Sequence, residues 1–114
     1  MDARVKTGLW VRAQVRLCDM AGRPAMILRH GDDDAGVVIV KLIGADGTVR
    51  LLAQTTAPEG GFAWLQPLGA VPVAETEAEA YIARQARYDP DIWVLEILDR
   101  KGDYLPDGRI LKGD

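Results

Sequence analysis

The stretch Val37-Val38-Ile39-Val40-Lys41-Leu42-Ile43 is apolar at odd and even positions alike, Lys41 apart. Successive side chains of a strand point to opposite faces of a sheet, so such a segment belongs inside a sheet rather than at its rim. The rest of the chain has to supply that sheet. Asp46-Gly47, just after the run, is a hairpin signal, because both residues tolerate the positive φ of a tight turn; residues 48–56 return as the next strand. Residues 57–61 lead to a further strand at 62–66, and residues 24–30 read as a short strand ahead of the run. Three hairpin connections in succession predict a meander.

Residues 9–21 fit two periods. Val11, Ala13, Val15 and Leu17 alternate with Arg12, Gln14 and Arg16 as in a strand, whereas Trp10, Ala13, Leu17, Cys18 and Ala21 gather on one helical face. The stop signal decides for a helix, since Gly22 supplies a C-cap and Pro24 a terminator. A second helix is predicted from Thr76-Glu77-Ala78-Glu79, which has the form of a capping box, to Asp89-Pro90, where the residue before proline avoids helical geometry. Residues 92–99 make the last strand. The order α-β-β-β-β-α-β predicts an α+β fold, a mostly antiparallel sheet of about five strands with two helices on one face.

The length of 114 residues, 48% of them hydrophobic, suits a single domain over 1–114, with residues 1–7 and 100–114 as less ordered termini. The lone Cys18 allows no internal disulfide, the apolar run at Leu9 is cut by Arg12 before it resembles a secretion signal, and the longest uncharged stretch, 60–74, is broken by Pro67 and Pro72. A cytoplasmic chain without a membrane span is expected.

Chemistry-bearing residues are few. Serine is absent, and one cysteine with one histidine leaves Cys18–His30 as the single nucleophile–base pairing available. Cys18 lies on the apolar helical face, where a thiol is inert. His30 with Asp32, Asp33 and Asp34 offers weak metal candidates in His30, Asp32 and Asp34, but consecutive aspartates diverge, and Asp beside Gly is ordinary turn chemistry. Net charge is −3, yet residues 1–30 hold six basic and two acidic side chains. Arg12, Arg16, Arg23 and Arg29 would suit a phosphate backbone, although no aromatic residues interleave for base stacking. Glu96 interrupts the last strand and needs a cationic partner if it is buried.

Trp10-Val11, Ala21-Gly22-Arg23-Pro24-Ala25, the loop at 29–36, Asp46-Gly47-Thr48, Tyr81-Ile82-Ala83-Arg84-Gln85, Asp89-Pro90-Asp91 and Trp93-Val94-Leu95-Glu96-Ile97 together resemble the DUF1491 family of small alphaproteobacterial proteins, over residues 8–99. The family loop more often reads Arg-Gly-Asp-Pro-Asp-Ala-Gly; here His30 stands for the arginine and Asp33 for the proline, so a role for that arginine does not carry over. The resemblance implies a stand-alone bacterial cytoplasmic domain and supplies no activity. Within the stretches that carry it, Arg84, Gln85, Asp89 and Asp91 are the polar group near a helix end and suggest a partner contact. The function expected first is therefore a non-enzymatic interaction module, without a cofactor, that binds a protein partner or itself. Contact with RNA or DNA through the basic helix face comes second, and metal-assisted chemistry third.

Overall fold

The computed structural model describes residues 6–111. Helix α1 runs over Thr7–Met20, followed by strands β1 (Ala25–Arg29), β2 (Val38–Ile43), β3 (Val49–Thr56) and β4 (Phe62–Leu65), helix α2 (Glu75–Tyr88), and strands β5 (Trp93–Leu98) and β6 (Arg109–Ile110). The first helix ends as its sequence requires. Gly22, at φ 76°, closes a Schellman motif in which Gly22 N–H donates to Asp19 O (3.1 Å) and Arg23 N–H to Cys18 O (2.8 Å). The hairpin between β2 and β3 turns at Gly47, φ 84°, with Asp46 accepting from the Thr48 amide and hydroxyl.

The α+β class holds, but the strand count, the strand directions, the extent of the meander and the placement of both helices on one face all differ from expectation. The sheet is mixed and has six strands, in the order β1-β5-β2-β3-β4-β6, with β2–β5 and β4–β6 parallel. The meander is limited to β2-β3-β4, because β5 separates β1 from β2. β5 is apolar on both faces, like β2, and both take interior places while the shorter β1 goes to the rim.

The helices lie on opposite faces of the sheet. Trp10, Val11 and Cys18 of α1 pack with Val38, Val40, Leu42, Trp93, Leu95 and Ile97. Ala78, Tyr81, Ile82 and Ala86 of α2 pack with the other parity, Ile39, Val49, Leu51 and Val94. One helical layer would leave half the apolar side chains of β2 and β5 in water. Two layers bury both sets.

On α1 the buried face holds Gly8, Trp10, Val11, Gln14 and Cys18, while Leu17, expected inside, is 56% exposed. The capping box does not form: α2 starts two residues early, with Ala74 rather than Thr76 at the N-cap and no side-chain cap, and Glu79 turns toward the sheet.

Residues 100–111, within the stretch expected as a less ordered tail, run as a strap along the α1 side. Tyr104 is buried with its hydroxyl donating to Gln14 Oε1. Trp10 Nε1 donates to the Asp107 carboxylate (2.9 Å) and Trp64 Nε1 to the Asp107 carbonyl, and β6 then adds to β4. The remaining terminal residues of that expectation, 1–5 and 112–114, lie outside the described residues.

Candidate interaction surface

The loop at 30–37 and the loop at 89–92 meet at one end of the sheet. Gly31 and Gly36 both lie against the carbonyl of Asp91, where a Cβ would overlap backbone, and Asp32 N–H donates to that carbonyl (3.0 Å). Asp32 also accepts from Trp93 Nε1 through its carbonyl (2.7 Å), and through its carboxylate from the Asp34 and Ala35 amides. Above this frame the His30 ring packs on the Trp93 indole, centroids 4.2 Å apart, and Arg12 reaches the same indole from α1. Asp33 lies between these two side chains, 3.4 Å from His30 Nε2 and 3.6 Å from Arg12.

The aspartates thus diverge: Asp32 serves backbone, Asp33 serves Arg12 and His30, and Asp34 meets Lys6 (3.5 Å). Asp89 likewise serves the local chain, its carboxylate accepting from the Asp91 amide (3.0 Å). His30, Asp32 and Asp34 do not converge, and no group of three or more His, Cys, Asp or Glu placed to hold a metal occurs among the described residues. Beside the corner, a shallow cleft of about 480 Å³ opens between the start of α1 and the β3–β4 hairpin, with Lys6, Thr7, Val37, Thr55 and Phe62 in its walls.

The four arginines are dispersed. Arg12 belongs to the corner. Arg16 is exposed on α1. Arg23 is at the opposite end of α1, bonded to Asp103 (2.7 Å) and 3.6 Å from the buried Asp99. Arg29 is re-aimed by a β-bulge: Ile27 pairs with Leu95 but Arg29 with Val94, so Leu28 is the extra residue and Arg29 shares the parity of Val94, which faces α2. There its guanidinium donates to Pro90 O (3.0 Å), while Nε is buried without a partner. Arg84 stacks over Tyr81 on α2, and Gln85 accepts the Asp89 amide through its carbonyl (2.8 Å), so these join the 89–91 loop only through the helix end.

Cys18 is buried on α1 near Arg23 and Asp99, whereas His30 stacks at the corner, so no Cys–His pair forms. Burial pushes the thiol above its usual pKa, with Arg23 opposing.

The most densely charged cluster supplies the cationic partner that Glu96 requires and adds two carboxylates of α2. Lys41, side chain 3% exposed, sends Nζ to Glu75 (2.7 Å) and Glu79 (2.6 Å) of α2 and to Glu96 (3.2 Å) of β5. Burial disfavours the ammonium, but hydrogen bonds to the three carboxylates outweigh it and raise the Lys41 pKa well above the ordinary range. Such a lysine is a structural cation, not an amine nucleophile. The signal was present: Lys41 and Glu96 each stand alone in an apolar strand, and paired strands bring lone opposite charges together.

At the other rim of the molecule, β1 is the one edge strand longer than two residues, and nothing among the described residues pairs with its outer side. Ala25 and Ile27 pack on the α1 side. Met26, 57% exposed, and Leu28, 43% exposed, are left uncovered.

The fold and this surface define a small α+β protein in which a mixed six-stranded sheet carries one helix on each face. The chain belongs to the DUF1491 family, described as proteins of unknown function, whose profile it matches over residues 5–106. It is similar to a DUF1491 family protein from Caulobacter crescentus CB15 known from a crystal structure (38% identity, 95% of this chain and 100% of that one, TM-score 0.84). A solution structure of a DUF1491 protein from the same organism (38%, 95% and 97%, 0.81) and a protein from A. tumefaciens (26%, 90% and 89%, 0.72) are also similar. No curated protein matches the chain. No helix among the described residues is long and apolar enough to cross a membrane.

Proposed function

We propose that this protein is a non-enzymatic interaction module that contacts a protein partner through the edge of β1. One observation carries the proposal: a five-residue edge strand presents Met26 and Leu28 to solvent beside an unpaired backbone. Edge strands usually carry lysine, proline, bulges or inward charges that discourage pairing; in β1 these stand at the ends, as Pro24, the bulge at Leu28 and the inward Arg29, and leave Ala25–Ile27 as the open stretch. Backbone pairing with pockets for alternate side chains is a common recognition mode. A location in the cytoplasm fits the proposal.

Nucleic-acid contact has less support, since Arg12 and Arg23 lie beside carboxylates of their own chain and Arg29 faces the α2 side. The test is to place a photoreactive phenylalanine analogue at position 26, and separately at the exposed position 71, in cells expressing the protein at its natural level. A discrete cross-linked species from position 26 and not from 71 is expected. Equal or absent cross-linking at the two positions would overturn the proposal.

A further inference from the structure

We infer that residues 103–111 are a displaceable latch on a binding groove, and that an extended segment of a partner protein, carrying an aspartate, takes their place. The groove lies at the sheet edge opposite β1 and is independent of it. Its floor is aromatic. Phe62 and Trp64 share one face of β4, and Trp10 of α1 packs edge-on against Phe62 (ring centroids 5.8 Å) and tilted against Trp64 (5.7 Å). Two donors rise from that floor. The indole N–H groups of Trp10 and Trp64, from elements remote in sequence, converge on Asp107, one on its carboxylate and one on its carbonyl. Beside them the outer side of β4 is paired at Ala63 and Trp64 by a strand of two residues, and Leu111 N–H donates to Trp64 O (2.8 Å). An aromatic floor, two converging donors and a strand edge together recognise an extended segment that brings a carboxylate.

The two sides of this contact are unequal. Trp10 and Trp64 belong to the core, 5% and 0% exposed, and pack with Val38, Leu52 and Leu95. Of residues 103–111 only Tyr104 is buried, and Leu105 is 83% exposed. Between Tyr104 and Arg109 no backbone amide donates to another backbone group among the described residues. The ion pair Arg109–Glu59 (2.8 Å) is exposed on both sides and holds little. A segment with so few buried contacts opens while the core stays folded. Opening uncovers two tryptophans with unpaired N–H groups, a surface that water covers poorly and a second acidic segment covers well. As a tethered occupant the strap acts at an effective concentration on the order of millimolar, so it excludes weak competitors and yields to a tighter one.

The test uses a synthetic peptide of residues 100–111 as the probe, added to the unaltered protein and to Asp107→Ala, with the indole N–H resonances as readout. Apparent affinity falls with the fraction of molecules whose groove is open. The peptide is therefore expected to bind Asp107→Ala about tenfold more tightly than the unaltered protein, shifting the Trp10 and Trp64 signals and leaving that of Trp93 in place. A peptide that itself bears Asp107→Ala is expected to bind about tenfold more weakly. No shift in the Asp107→Ala protein, equal binding to both proteins, or a peptide indifferent to its aspartate would each overturn the inference. Should Asp107→Ala not fold, amide exchange of the unaltered protein decides. The Leu111 amide is expected to exchange about tenfold or more faster than the Leu95 amide, and exchange of both at one rate overturns the latch.

Discussion

Lys41 and Glu96 occupy the same register position on neighbouring parallel strands, and the two carboxylates of α2 that join them turn a sheet pair into a tether for the helix. Replacing Lys41 by methionine keeps the stem and leaves three carboxylates facing one another. The full cost of breaking a buried pair is reduced here because Glu75 and Glu79 are half exposed and can turn to water. A loss of about 1–2 kcal/mol is expected in urea denaturation. Part of it should return in Lys41→Met with Glu96→Gln.

The same residue sets an alkaline dependence. The Lys41 pKa is raised in the folded protein, so its contribution is complete below its ordinary value of 10.5 and is lost as pH rises above that toward the folded value. The stability difference between the unaltered protein and Lys41→Met should be constant from pH 7 to about pH 10 and shrink at higher pH. A difference growing above pH 10.5 would contradict the assignment.

Two glycine substitutions separate crowding from backbone strain. Gly47 sits at positive φ in open space, and Gly47→Ala should cost about 1 kcal/mol for conformation alone. Gly31 has ordinary φ but lies against the backbone of Asp91 and Ile92, so Gly31→Ala should cost roughly 2 kcal/mol or more by forcing the two loops apart. Only the second should also alter fluorescence from Trp93, whose indole is bonded to the moved segment.

Asp107→Ala removes the acceptor of Trp10 Nε1 and leaves a buried indole N–H unpaired, for a loss of about 1–3 kcal/mol. Trp64 uses the carbonyl of the same residue and should keep its bond. Amide exchange should therefore quicken along residues 104–110 before it changes in β4.

Cys18 gives a chemical readout. A buried thiol with a raised pKa should resist a thiol reagent in the native state and react at a rate set by opening of the α1 layer. Leu17→Ala, one position away and exposed, should change stability by less than about 0.5 kcal/mol.

How much was legible in advance depends on how local each signal is. Gly22-Arg23-Pro24 and Asp46-Gly47 act through their own backbones, and both turns form where their chemistry requires. The parity of residues 37–43 indicated an interior strand, yet it also demanded cover on both faces, and the same demand from β5 went unread. Leu17 was misplaced because α1 satisfies two apolar stripes, and only the packing of Trp10 and Val11 on the sheet selects one. Thr76 lost its capping role to a distant cation, since Glu79 bonds Lys41 instead. Nothing in residues 100–111 foretells that one aspartate will serve two tryptophans from remote elements, and the β1 edge became visible only once β5 had been placed.

The position of β5 also has a consequence for synthesis. The strand that joins β1 to the rest of the sheet is encoded after residue 92, so α1 and β1 emerge early and wait for most of the chain before their permanent neighbour exists. Folding on the ribosome should begin with the β2-β3-β4 meander, while α1 and β1 remain a substrate for chaperones until Leu98 clears the exit tunnel.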